Sequence, residues 1–467
     1  MQERTLNHAS PATPQYAQRF ACIGSACEDT CCQGWQVPVD EATFERYHNL
    51  APGPLPTLIA ASLEQKSTAQ AAKNPAVFAI IRMTAENRCP MLSADRLCRI
   101  QSAYGAELLS HTCATYPRVI HAHPQAVAGE NPAGDLTALA LSCPEAARLV
   151  LLTPHLLLET GPSAKPARML AAPTPTHTEA TLGPWAEPIR AAILGTVTNR
   201  LYPLWQRLFL LGILARRLDD IHDAIVTGKL DPSPGDFLAD FNATAARGSL
   251  RVAMNALPVD PLAQMDAVLR LAGLMLHRSN VGPRFVECVN AFTSGIGNGP
   301  GATLASLAAQ SRTAWERRFA PFFGKHPHIL ENYLTNAILR LNFPFGSARN
   351  PDEAGRTISQ RFAILAAQFA LIRGLLIGVA GHHGDRFSAH HVVHTVQAAS
   401  RHFEHHPEFA KQILALLAEL KLDSANGLTI LLREPVKAGA AAHPVPSLLP
   451  PPSPRPSTQP NRLRTTS

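Results

Sequence analysis

The sequence predicts a mainly α-helical protein, in which a small cysteine-rich, metal-binding N-terminal module packs on a large all-helical body and a disordered proline-rich tail follows. Three observations predict this fold class. From about residue 178 onward, apolar residues recur at spacings of three and four, the period of a helix with one buried face. Eight of the nine cysteines lie at or before residue 143. Residues 434–467 are rich in proline and contain little to bury, which is typical of disorder.

The same patterns divide the chain into five segments. A flexible leader is expected at 1–15, the cysteine-rich module at 16–145, a linker at 146–177, the helical body at 178–433 and the tail at 434–467. In the module, helical periodicity covers 43–70 with a break at 51–56, and another helix is expected over 97–109. In the body, Asp260 is a predicted helix N-cap, and helices are expected over 189–226, 260–277, 306–323, 329–341, 354–379, 391–405 and 408–422. Strand-like alternation is scarce.

The composition narrows the class of protein. With 467 residues, 46% of them hydrophobic and 16% charged, the chain can bury a sizeable core. The formal net charge of +7 is spread along the chain, without a helix that combines clustered Arg and Lys with aromatic residues. We therefore expect no nucleic-acid partner.

The most apolar stretch, 362–381, is long enough to cross a bilayer. Arg373 lies in its middle, however, and a central arginine is costly in lipid, so we expect a buried helix and no membrane partner. The N-terminus has no apolar signal region, which predicts a cytoplasmic protein. Because the cytoplasm keeps thiols reduced, the cysteines of this chain indicate metal binding rather than disulfides.

The cysteines are the residues that carry chemistry. Thiolates select zinc, Cu(I) or iron–sulfur clusters. Structural zinc sites usually show CxxC pairs, which are missing, whereas iron–sulfur clusters tolerate irregular spacing. We expect an iron–sulfur cluster, with zinc as the alternative and disulfides or unliganded core thiols as the remaining interpretation. The candidate ligands are Cys22, Cys27, Cys31, Cys32, Cys89, Cys98, Cys113 and Cys143. If these cysteines form a single ligand set, residues 22–32 and residues 89–113 must lie close together in the structure.

Three further features are weaker. Cys288 stands alone on a helical segment and is interpreted as a small buried hydrophobic residue. The glycines in SGIGNGPG, at 294–301, resemble a nucleotide-binding loop but lack a βαβ context, so a flexible connection between helices is expected. His390 and His394, four residues apart, could bind metal on one helical face, although an exposed polar face is favoured.

Three stretches closely resemble the flagellin lysine-N-methylase family: FACIGSACEDTCCQGWQVPVD at 20–40, CPMLSADRLCRIQSAYGAELLSHTCATYPR at 89–118 and LSCPE at 141–145. ENYLTNAILRLNFPF at 331–345 and SRHFEH at 400–405 are similar to the helical body of that family, and the resemblance extends over about 16–425. It implies a protein-lysine N-methyltransferase that uses S-adenosylmethionine and acts on flagellin. It also implies an iron–sulfur cluster, of the 4Fe–4S type, on the cysteine motif.

Lysine methylation requires a neutral amine, obtained by desolvation or by a base. No single base is singled out among the groups near the cysteines, which are Glu28, Asp29, Asp40, Tyr104, Glu107, His111 and Tyr116. Asp40 is equally a helix N-cap, Arg118 could pair with a carboxylate, and Glu331 and Asn332 are either buried and satisfied or line a site. The alternatives to an enzyme are a non-enzymatic zinc- or iron-chelating structural module and a redox or cluster-carrier protein.

Overall fold

A computed structural model describes residues 16–67, 77–121, 136–157, 176–229, 234–248, 250–277, 281–347, 353, 355–406 and 408–435. Helices dominate these residues, which confirms the mainly helical prediction. The expected leader at 1–15, residues 158–175 of the expected linker and residues 436–467 of the expected tail lie outside the described residues.

The cysteine-rich segment contains a small antiparallel sheet that the sequence did not predict. Strand β3 (Ala79–Ile81) lies between β1 (Val37–Val39) and β2 (Leu63–Gln65). Helices α1 (Glu41–His48) and α2 (Pro54–Ser62) connect β1 to β2. The helix expected over 43–70 therefore ends at Ser62, because the backbone turns extended there and pairs with β3.

The second half of this segment is also more broken than predicted. The helix expected over 97–109 is a short helix, α3 (Arg99–Tyr104), followed by a 3₁₀ turn, because Gly105 takes a positive φ of 78°. Cys98 stands at the N-cap of α3 rather than inside the helix. Helix α4 (His111–Thr115) then leads into a two-stranded antiparallel sheet of β4 (Arg118–His121) and β5 (Leu136–Leu139).

Two hydrophobic cores form within the described chain. The smaller lies in the cysteine-rich segment and includes Val39, Tyr47 and Ile81, with Cys32, Cys98 and Cys113 packed against it. The larger lies among the helices, but it also contains Phe20 and Leu139 from the two ends of the cysteine-rich segment. Helix α5 (Pro144–Leu152) joins this larger core and crosses the boundary expected between module and linker at 145/146.

The helices of the body match most of the expected ranges. The range 189–226 is divided into two helices, with Pro203 as the residue before the second. The helix expected over 306–323 passes through a π-helical turn at Trp315–Phe319. The Asp260 cap is confirmed, because its carboxylate accepts hydrogen bonds from two backbone N–H groups. The helices α6 to α19 are His177–Leu182, Ala186–Thr198, Leu204–Val226, Pro234–Ala246, Leu250–Asn255, Pro261–Leu276, Pro283–Gly295, Leu304–Ala314, Ala320–Lys325, His328–Arg340, Ile358–His383, Ala389–Glu404, Phe409–Glu419 and Ala425–Leu432.

Helix α16 (Ile358–His383) contains the stretch considered as a membrane span. It is part of the one helical segment among the described residues with the length and hydropathy for such a span, and 94% of its most apolar window is buried inside the fold. Arg373 is buried and donates a 2.9 Å hydrogen bond to the carbonyl of Leu431. The expectation of a buried helix is therefore confirmed.

Glu331 and Asn332 in α15 (His328–Arg340) are buried and satisfied rather than lining an open site. The Glu331 carboxylate pairs with Arg207 at 2.7 Å and Arg200 at 2.9 Å. Asn332 donates to the carbonyls of Val150 and Thr153. These contacts attach α15 both to its helical neighbours and to the end of α5.

The glycine stretch at 294–301 marks a close helix crossing and a connection. A nucleotide-binding loop follows a strand, but this glycine stretch begins at the end of helix α12 (Pro283–Gly295). The described residues therefore give the nucleotide-loop interpretation no support. A Cβ on Gly295 would lie 1.7 Å from the Gly378 carbonyl oxygen in α16. The predicted connection between helices is confirmed, but Gly295 itself packs against the backbone of α16.

Candidate functional site

The two cysteine-bearing stretches meet in space. The backbone N–H of Cys89 donates a 2.7 Å hydrogen bond to the carbonyl of Cys32, and Gln33 and Arg88 form a β-bridge. The juxtaposition required of a single ligand set, 22–32 against 89–113, is therefore present. It follows from the sheet order, since β1 follows the first stretch and β3 precedes the second, and the two strands are paired.

Three thiols, those of Cys31, Cys89 and Cys98, lie within electrostatic reach of the Cys113 thiol. Burial raises the pKa of the Cys113 thiol to about 12, and the neighbouring charges of Cys31, Cys98 and Cys89 add to the effect. Burial likewise raises the pKa of Cys89 to about 11, with Cys98 and Cys31 contributing. Cys31 is an exposed residue, and the pKa of its thiol is raised by the hydrogen bond with Cys32 and then by burial.

The other candidate ligands form a second group that adjoins the first at Cys31. Burial raises the pKa of the Cys143 thiol to about 12, with Cys27 and Cys31 contributing. Burial also raises the pKa of Cys27, with Cys22 among the charges nearby. Cys288 lies elsewhere, in the larger core, where its expected role as a small buried residue agrees with its 3% exposure.

The donor chemistry fits a thiolate-bound metal, although the ligand shell is not preassembled. All nine cysteines are free thiols. Within the described ranges, no three Cys, His, Asp or Glu side chains stand close enough together to hold a metal ion. Burial favours the neutral thiols, and a bound cation would reverse this preference because it stabilises thiolates.

One face of helix α17 (Ala389–Glu404) holds the first cysteine stretch against the body. Arg401 donates to the Asp29 carboxylate, to the Thr30 carbonyl at 3.0 Å and to the Gln33 carbonyl. Gln397 donates to Asp29 at 2.9 Å and to the Ser142 carbonyl at 2.9 Å. Burial would raise the pKa of Asp29, but the charge and hydrogen bonds of Arg401 bring it below its usual value.

An aromatic cluster of Trp35, Tyr116 and His405 lies beside these groups. The Trp35 and His405 rings stack with centroids 4.7 Å apart, and the centroid of Tyr116 is 5.7 Å from that of Trp35. The Tyr116 hydroxyl and His405 Nε2 lie 3.1 and 2.8 Å from Ser142 Oγ. Trp35 Nε1 donates to the Cys31 carbonyl at 2.7 Å, which places this cluster next to the thiols.

Burial keeps the cluster uncharged. It lowers the pKa of His405 to about 3, helped by the charges of Arg401 and Arg340, and it raises the pKa of Tyr116 well above its usual value. Near neutral pH these groups are therefore a neutral imidazole and a neutral phenol. His405 was not among the expected site residues, since nothing in its local sequence predicts contact with residues more than 260 positions earlier.

The remaining candidate bases have structural roles or stand in solvent. Glu28 pairs with Arg148 at 2.7 Å. Tyr104 and Glu107 are exposed. Asp40 caps α1, as one of its two interpretations predicted, and it also accepts a 2.9 Å hydrogen bond from the backbone N–H of His111. Asp40 thereby links α1 to the helix that carries Cys113.

Replacing Asp40 by alanine is expected to lower the free energy of unfolding by about 2–4 kcal/mol, because it removes a helix cap and leaves buried hydrogen-bond donors without an acceptor. Asp40 is only 3% exposed. Asp260→Ala is the matched control, since Asp260 is an exposed N-cap, and we expect a loss of about 1 kcal/mol. Urea unfolding of both variants measures the difference. Equal losses would contradict the bridging role of Asp40.

Two expectations about basic residues require correction. Arg118 does not pair with a carboxylate in the contacts described: it donates to the carbonyls of Ala17 and Phe20, at 3.2 and 2.8 Å. The histidine face of α17 is not simply exposed, because His394 is half-buried and burial lowers its pKa to about 4. The rings of His390 and His394 are 6.4 Å apart.

The family described as the FliB lysine N-methylase C-terminal domain matches residues 190–431, more than half of the chain. The chain belongs to this family. The matched range includes Gln397, Arg401 and His405, whereas the eight candidate ligand cysteines precede it. In this FliB-family chain, the matched domain therefore provides the surface on which the cysteine-rich segment is held.

Individual relatives match over a shorter region. The chain is 34% identical to a lysine-N-methylase of Salmonella typhimurium over 142 residues, which cover 30% of this chain and 32% of that protein. It is also 34% identical over 142 residues to the flagellar biosynthetic protein FliU of Salmonella muenchen, covering 30% of this chain and 76% of FliU. The match thus spans about a third of the length of the lysine-N-methylase. No solved structure matches the chain.

Proposed function

We propose that the protein is a protein-lysine N-methyltransferase that uses S-adenosylmethionine as methyl donor and flagellin as acceptor. Membership of the FliB lysine N-methylase family carries this proposal. The names of the relatives support it, since one is a lysine-N-methylase and another a flagellar biosynthetic protein. The donor supplies a sulfonium methyl group, whose C–S bond breaks as the lysine nitrogen forms the new C–N bond and S-adenosylhomocysteine leaves.

The chain must provide an acceptor amine that has lost its proton, because the lysine pKa is ordinarily about 10.4. Asp29 and Asp40 are ill suited as the base, since each is already held by hydrogen bonds in the fold. Trp35, Tyr116 and His405 instead offer an uncharged aromatic surface. Aromatic faces attract alkylammonium groups, and an apolar surface lowers their pKa by desolvation. We therefore place the acceptor lysine at this aromatic cluster.

The thiol cluster is proposed to hold a 4Fe–4S cluster, with Cys31, Cys89, Cys98 and Cys113 as the ligand set. Cys31, Cys89 and Cys98 all act electrostatically on Cys113, and Cys89, Cys98 and Cys113 belong to the smaller hydrophobic core or pack against it. A bound metal would add a link between two stretches of chain that the pairing of β1 with β3, the hydrogen bond between Cys89 and Cys32 and this core already hold together. The role assigned to the metal is therefore structural, and the transfer of the methyl group is assigned to the aromatic cluster and its surroundings.

The reaction is tested by incubating flagellin with the full chain, purified without oxygen, and S-adenosylmethionine. We expect mass spectrometry to show methyl groups on surface lysines of flagellin, and no gain in a parallel incubation without the donor. Protein whose iron content is complete but which adds no methyl groups would overturn the enzyme assignment.

A second candidate function is a non-enzymatic metal-stapled module, favoured by the small size of the core around the cysteines. An absorption near ~400 nm in the anaerobic protein indicates an iron–sulfur cluster, whereas a colourless protein with stoichiometric zinc indicates the zinc alternative. Loss of folding on chelation, combined with no methyl transfer, would favour this second function.

A further inference from the structure

Residues Asp29 to Gly34, which we call the thiol turn, carry Cys31 and Cys32. Four consecutive backbone carbonyls of the thiol turn each accept a hydrogen bond. Arg401 donates to those of Thr30 and Gln33, Trp35 Nε1 to that of Cys31, and the Cys89 N–H to that of Cys32. Arg401 therefore supplies two of the four contacts that fix this backbone.

The guanidinium of Arg401 is also enclosed by the thiol turn. Gly34 has a positive φ of 85°, and a Cβ built there would lie 3.3 Å from Nη2 of Arg401. Asp29 balances the charge of Arg401 from the other end of the turn, and Gln397 donates to the same carboxylate. An arginine is suited to this position because its planar fork can serve several acceptors at fixed angles, which a lysine ammonium cannot do.

We propose that Arg401 is a positioning residue, through which the helical body sets the conformation of the thiol turn and so the direction and accessibility of the Cys31 and Cys32 thiols. The inference rests on the proposed function only in treating these thiols as part of the functional site. It assigns to the FliB-family domain a direct role in shaping a cysteine segment that lies more than 360 residues earlier in the chain.

The first test measures the alkylation rate of each cysteine by iodoacetamide in the metal-free, reduced full chain, with peptide mass spectrometry as readout. The variants are Arg401→Lys, which keeps the charge, and Arg401→Gln, which removes it. We expect Arg401→Lys to raise the rates of Cys31 and Cys32 by about tenfold, the equilibrium change that loss of charge-assisted hydrogen bonds gives. Arg401→Gln also removes a charge that lowers the pKa of the Cys31 thiol, so we expect a smaller rise at Cys31 in this variant than in Arg401→Lys. Gly34→Ala should act in the same direction, and Arg317→Lys, at an exposed position, is the control.

Cys288 distinguishes positioning from general stability, since it is buried in the larger core. If Arg401 only stabilises the fold, the rate of Cys288 rises together with those of Cys31 and Cys32. That result, or unchanged rates at Cys31 and Cys32, would overturn the proposal. A selective rise at Cys31 and Cys32, with the rate at Cys288 unchanged, supports it.

A second test titrates the metal-free chain with Co²⁺ and follows thiolate-to-cobalt absorption. We expect about tenfold weaker binding in Arg401→Gln than in the parent chain. Equal binding would overturn the link between Arg401 and metal ligation. If the parent chain gives no such absorption, the proposed thiolate metal site fails, while the alkylation rates still decide whether Arg401 positions the turn.

Discussion

Replacing Cys113 by serine is expected to reduce the iron content of the anaerobically reconstituted protein by more than about tenfold, since loss of a ligand weakens a metal site at least as strongly as loss of its supporting contacts. Cys31, Cys98 and Cys89 all lie within electrostatic reach of the Cys113 thiol and contribute to its raised pKa. Cys113 also sits at the start of α4, whose N-cap Ser110 accepts from the Cys113 N–H. Serine preserves this backbone contact and removes only the sulfur.

Cys288→Ser is the matched control for this variant. Cys288 is also a free thiol, but it is buried in the larger core, where its sulfur lies 4.0 Å from Thr395 Oγ1. We expect its iron content to equal that of the parent protein. Iron and sulfide analysis together with the absorption near ~400 nm measures both variants. Full iron content in Cys113→Ser would remove Cys113 from the ligand set.

The largest expected loss of stability comes from Gly295→Ala. A Cβ at this position would lie 1.7 Å from the Gly378 carbonyl oxygen and 2.6 Å from the His382 backbone nitrogen. Because both neighbours are backbone atoms of one long helix, α12 and α16 would have to separate. Overpacking of this kind costs about 3 kcal/mol or more in the free energy of unfolding.

Gly299→Ala provides the control within the same stretch. Nothing lies within 4 Å of a Cβ built on Gly299. Its unfolding free energy is expected to change by less than about 1 kcal/mol. Urea denaturation followed by circular dichroism compares the two variants. Similar stabilities would mean that the crossing of α12 and α16 is not a close backbone contact.

The helical body could be predicted from the sequence because its signals are local. Apolar spacing of three and four persists over whole helices, and Asp260 stands directly before the helix it caps. The small sheets could not be predicted in this way. Strands of three or four residues, such as Leu63–Gln65, are too short to show alternation, and they exist only because a distant strand pairs with them.

The same contrast between local and long-range signals applies to the candidate site. Clustering in the sequence predicted the cysteines as ligands, which stays a prediction, and the pairing of β1 with β3 brings their two stretches together. The surroundings of these thiols could not be predicted, because Arg401, Gln397 and His405 reach them across more than 250 residues. Periodicity places such residues on a helix face, but it does not say which partner that face will meet.

The sequence distance between Thr30 and Arg401, 371 residues, has a consequence for the order of events during synthesis. At a translation rate of about 5–20 residues per second, Thr30 is synthesised roughly 20–75 s before Arg401. During that interval the thiol turn lacks the helix that later fixes its backbone. The thiol turn can therefore take its final conformation only after most of the helical body has been made.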